Sequence, residues 1–132
     1  VMKNIDSVIS SEVYSLLKNF DKNDYKKLEN ITNKTISVLL EAGLFSSALF
    51  VKYQGSKREF SNSSSFMLSL IVDILEKNND ILNINTKTQT NDNYDKLIEY
   101  LKEITKDVYL TVFTTNIIYQ ALVYLRYHLK AK

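Results

Sequence analysis

Few side chains in this sequence could do covalent chemistry. Its 132 residues include one histidine, His128, and no cysteine. Thiolate catalysis, disulfides, Cys-ligated zinc and His-rich metal sites are therefore excluded, and most catalytic triads with them. Only carboxylates, lysines and tyrosines remain as reactive groups. No phosphate loop, nucleophile elbow or paired-histidine zinc helix occurs. A calcium-loop spacing opening at Asn91 fails at Lys96, where glycine is needed, and at Lys102, where a bidentate glutamate is needed. His128 falls at the end of a helical run, where an imidazole serves late carbonyls, and spacing nominates no catalytic partner for it. The sequence reads as a non-enzyme without cofactor or metal.

The basic residues are more informative, because they are not evenly mixed with acids. Lys26, Lys27, Asn30 and Lys34 share the outer face of one helical segment, with only Glu29 near its edge. Lys52, Lys57 and Arg58 gather around Gly55. Arg126, Lys130 and Lys132 close the chain, which has no acid after Asp107. Tyr119 and Tyr127 flank this last group, and rings beside cations suit stacking on unpaired bases or contact with an RNA backbone. The net charge is only +2, so any such footprint must be local. Each cluster alone could simply keep a surface soluble. Fifteen lysines against two arginines favour point-charge contact with phosphate over bidentate reading of bases.

The elements that carry these residues are helical. Proline is absent and glycine occurs twice, which removes the usual hairpin residues. Apolar residues at three- and four-residue steps predict helices over 4–19, from Asp21 or Asn23 to Gly43, from Leu44 to the Gln54-Gly55-Ser56 turn, and from Ser61–Ser64, as candidate caps, to Lys77. Two more run from Tyr94 to Ile104 and over 108–130. Residues 78–93, rich in Asn and Thr, read as an exposed loop. The expectation is an all-α, single-domain bundle of about six helices spanning 1–132. Leu28, Ile36, Leu39, Leu49, Leu70, Ile74, Leu101, Phe113, Ile117 and Ala121 should be buried. Residues 108–125 carry no charge, but Asn116 and Gln120 lie one turn apart on one face, where lipid would leave them unpaired. A core helix is therefore favoured over a C-terminal membrane anchor, and the polar N-terminus shows no export signal, which points to the cytoplasm.

The segment Gly43-Leu44-Phe45-Ser46-Ser47-Ala48-Leu49-Phe50-Val51-Lys52-Tyr53 resembles the Gly-Leu, Ala-Leu, aromatic-aliphatic stretch and basic turn of the small helical subunit of type III-B CRISPR Cmr effector complexes. The run from Tyr109 to Lys130 is similar to that family's final helix. The final helix departs from the pattern: Tyr127 and isolated bases stand where a Trp and a basic pair are common, and Leu110 where a base is common. A sister assignment to the small subunit of a type III-A Csm or type I effector fits the same residues. The resemblance implies a non-catalytic subunit that stacks in copies of itself beside other effector subunits and touches guide RNA and target RNA in antiviral defence. By position it carries the RNA-contacting role onto Lys52, Lys57, Arg58, Arg126 and Lys130. Periodicity alone adds Lys27 and Lys34. The contrasting reading is a purely structural helical protein, a homodimer or spacer, without RNA.

Overall fold

The computed structural model describes residues 5–87 and 90–131. Among them the chain is all helical: α1 Ile5–Leu17, α2 Tyr25–Ala42, α3 Leu44–Gln54, α4 Ser61–Lys77, α5 Asn79–Leu82, α6 Asn93–Ile104 and α7 Val108–Lys130. Single 3₁₀ turns, Lys22–Asp24 and Arg58–Phe60, precede α2 and α4. Lys132 of the terminal basic group lies outside the described residues.

Three of the joints are set by single residues that stop or start a helix. Gly43 takes φ +92°, left-handed backbone that favours glycine, and its N–H closes α2 on the Leu39 carbonyl at 3.0 Å. The Asp107 carboxylate accepts from the Leu110 N–H at 3.1 Å and caps α7, while Asp92 caps α6 through Asp95 N–H at 3.1 Å. The serines expected to cap α4 lie inside its first turn instead. Phe60 holds the cap position, and Ser64 turns inward to donate to the Val51 carbonyl at 2.8 Å.

Helix directions follow from which ends meet. Phe20, just past α1, packs on Phe66 near the start of α4 at 5.0 Å between rings, and Lys77 at the end of α4 pairs with Glu12 at 3.3 Å. Helices α1 and α4 are therefore antiparallel. Helix α7 packs against α1 and α2, and its late residue His128 meets Tyr14 late in α1. One end of the bundle thus collects the ends of α1, α3 and α7 and the starts of α2 and α4.

The core runs the length of the bundle through Ile9, Leu28, Leu39, Leu70, Ile74, Leu101, Ile117 and Ala121. Thr32 and Thr35 are buried within it without loss, because their hydroxyls donate to the Leu28 and Ile31 carbonyls at 2.7 Å. Two expected core residues fall elsewhere. Leu49 is 60% exposed, because α3 is apolar nearly all round and the Gly43 turn phases it onto Leu44, Ser47, Ala48, Val51 and Gln54. Phe113 is only half-buried, on the flank of α7.

The 78–93 segment is also less loop-like than its composition suggests. Its start folds as α5, and Leu82 and Ile84 are buried. Asparagines supply the turns. Buried Asn78 donates its amide to the Ile74 carbonyl at 2.8 Å, Asn79 accepts from Ile84 N–H at 2.8 Å, and Asn83 takes φ 53°.

Candidate nucleic-acid interface

The basic end is assembled at two helix joints. After α1 the chain turns on Asp21, whose carboxylate accepts from Asn23 N–H at 3.0 Å, while Tyr25 donates to the Leu17 carbonyl at 3.4 Å. Phe20 anchors this turn between Tyr25 and Phe66. These half-buried rings fix the backbone there and leave Lys18, Lys22, Lys26 and Lys27 in solvent.

The second joint depends on a close approach. A Cβ at Gly55 would lie 2.5 Å from Ser64 Oγ, so the end of α3 can press on α4 only with glycine at this position. Lys57 and Arg58 follow at once, both exposed. The Lys57 ammonium lies 5.2 Å from the centre of the Tyr53 ring. Asn62 then ties the two joints together, donating to Asp24 at 3.3 Å.

The result brings together residues that are far apart in sequence. Lys27, Lys57 and Arg58 line one open concavity of ≈ 580 Å³ with Glu59. Their neighbours on α2 are partly offset: Lys27 lies 3.9 Å from Asp24, and Lys26 pairs with Glu29 at 3.5 Å. Among the described residues neither Lys57 nor Arg58 has a carboxylate at ion-pair distance. Both therefore stand as unpaired cations, with Glu59 in the same concavity. Lys34 is exposed two turns further along α2 on the same face as Lys27.

Helix α7 brings its basic end to the same end of the bundle, beside a second hollow that shares no lining residue with the first. His128 packs on the Tyr14 ring, 6.0 Å between centroids, and lines a cavity of ≈ 230 Å³ with Lys18, Lys22 and Tyr25. Arg126 stands 6.0 Å from the Tyr127 ring, and Lys130 is exposed one turn on. Lys52 is also exposed, and its ammonium lies over the Tyr94 ring at 5.3 Å, a contact that links α3 to the start of α6.

The chain matches no protein-family model, and no curated protein or solved structure matches it.

Sequence reasoning missed Lys18 and Lys22, which straddle the α1–α2 turn. Their signal was the run of lysines around Asp21, visible once that turn is known. It also missed an inner polar cluster. Tyr100, fully buried, donates to Glu76 at 2.6 Å, and burial followed by that hydrogen bond pushes its phenol well above the usual tyrosine range. Burial, then the charges of Glu12 and Glu76, raises the Asp73 carboxyl above its ordinary value. Among the described residues no group of three His, Cys, Asp or Glu side chains could hold a metal ion. The Tyr100–Glu76 bond joins α6 to α4, and the Lys77–Glu12 pair joins α4 to α1.

Proposed function

We propose that this protein is a non-catalytic RNA-binding helical subunit that grips phosphate backbone with the basic end of its bundle. The observation that carries this reading is the joining of Lys27 with Lys57 and Arg58 in one concavity, with Arg126 and Lys130 at the same end of the fold. Lysine-rich contact of this kind positions a backbone without reading its sequence. That suits a subunit whose specificity is supplied by base pairing between a guide and its target. The resemblance of the Gly43–Tyr53 segment and of α7 to the small subunit of Cmr effector complexes points to a CRISPR ribonucleoprotein, working in the cytoplasm beside other effector subunits. A type III-A or type I small subunit is the sister assignment.

A lone copy offers few phosphate contacts, so affinity should arise when several copies align along one strand. Purification of the protein from its native host, followed by sequencing of bound RNA, tests the assignment. Repeat-derived guide RNA is the expected cargo. A preparation free of RNA, or holding only abundant ribosomal fragments, would contradict it.

A further inference from the structure

We propose that the outer face of α7 is the interface of a two-fold homodimer, in which two α7 helices pack antiparallel. The inner face of the helix is filled: Thr114, Ile117, Ile118, Ala121, Leu122, Leu125 and Leu129 are buried against the rest of the bundle. The outer face is apolar as well. Val108 is 77% exposed, Tyr109 86%, Val112 56% and Tyr127 62%. With Asn116, Tyr119 and Val123 these residues form a stripe at three- and four-residue steps, the spacing of a helix–helix seam. Residues 108–125 contain no charge on any side. A helix surface that faces only water carries charged residues, and this one carries none between Asp107 and Arg126.

The occupant follows from the stripe's own symmetry. With two copies antiparallel, Val112 meets the partner's Val123, Asn116 meets the partner's Tyr119, and Tyr109 reaches the partner's Tyr127. Each layer is then apolar on apolar or donor on acceptor. The ends complement one another too: Asp107 at the start of one α7 comes beside Lys130 at the end of the other, and the two helix dipoles oppose. A parallel pair would set Asp107 against Asp107 and Lys130 against Lys130. Area is sufficient. At about 200 Å² for a whole tyrosine, the three tyrosines alone expose on the order of 400 Å². The valines and Asn116 bring the stripe to roughly 600 to 700 Å², at the lower edge of the roughly 600 to 1,000 Å² each partner gives to a stable interface.

Helix α7 is long and apolar enough to cross a membrane. A lipid-facing stripe would leave Asn116 and Gln120 unpaired, whereas the antiparallel pair gives Asn116 the partner's Tyr119 hydroxyl.

The seam takes in Tyr127 and Lys130 of the basic end of α7, so the two readings share those residues, but the tests leave Lys57 and Arg58, the centre of the RNA-binding reading, untouched. Sedimentation equilibrium of the wild type should give about twice 15.3 kDa. Val112→Glu should raise the dimer dissociation constant at least about a hundredfold, with helicity unchanged by circular dichroism. The chain has no cysteine, so single Tyr109→Cys and Tyr127→Cys variants can be mixed and oxidised. The mixed disulfide should form. A Tyr109→Cys homodisulfide should not, because antiparallel packing holds those positions about 27 Å apart. A monomeric wild type, preferred 109–109 crosslinking, or flotation with phosphatidylcholine vesicles in place of self-association would each overturn the proposal.

Discussion

At the end of the bundle where α1, α3 and α7 finish, lysine and arginine side chains stand in water. Along the outer face of α7 no charge occurs between Asp107 and Arg126. Both are surfaces of the same helices, and neither holds the core together. They nevertheless ask for different partners. Cations in water attract phosphate by point charge, which salt weakens, whereas uncharged tyrosines and valines attract another apolar face, which salt hardly affects. The difference teaches that exposure alone says little about function. What matters is whether the exposed group is already content with water.

The largest effect should come from the inner face of α7, which separates folding from docking. Ile117→Ala should lose about 2 to 5 kcal/mol by denaturant titration, as expected for a fully packed branched side chain. Val112→Ala, half a turn round on the outer face, should stay within about 0.5 kcal/mol when measured on the monomer. Equal losses at the two positions would erase the contrast between inner and outer faces.

The joint that presents the basic end comes next. Gly55→Ala forces a Cβ against Ser64 and should destabilise by about 1 to 3 kcal/mol. Ser64→Ala removes the nearer contact, though its Cβ stays 2.9 Å from the new one, and gives up the bond to the Val51 carbonyl. The double variant should therefore lose less than the sum of the singles. Strict additivity would show that the two residues do not meet.

The smallest effect concerns the interior cluster, a control outside both surfaces. Because the folded-state pKa of Asp73 is raised, the folded state holds that proton more tightly than the unfolded chain. Its contribution to stability therefore falls as pH rises from about the ordinary value of 3.8 through the raised one. Asp73→Asn should melt higher than wild type at pH 7, and the gap should close on acidification. A gap that is constant with pH would assign the effect to packing.

Much of the fold was legible because periodicity is local. The apolar steps of α2, α4 and α6 announce their buried faces directly. Helix α3 was harder, since Leu44, Phe45, Leu49 and Phe50 surround it and only the Gly43 turn decides which of them enter the core. The start of 78–93 was illegible for another reason: two apolar anchors, Leu82 and Ile84, suffice when asparagine side chains supply the turns. The basic clusters were visible singly, but their convergence was not. Lys27 and Lys57 meet because α2 and α4 start at the same end of the bundle, which no window of sequence reveals. The contact of Lys52 with the Tyr94 ring, which links α3 to α6, was not visible either.

The most direct measurement is the salt dependence of RNA binding by assembled complexes carrying wild-type or Lys57→Ala/Arg58→Ala subunit, with helicity followed in parallel. If each cation neutralises one phosphate, the double variant should lower the slope of log affinity against log salt by roughly 1.4 to 1.8 per subunit. Fold stability should be nearly unchanged, since exposed charges in a turn contribute little to it. An unchanged slope with an intact fold would contradict phosphate contact by the Lys57–Arg58 turn.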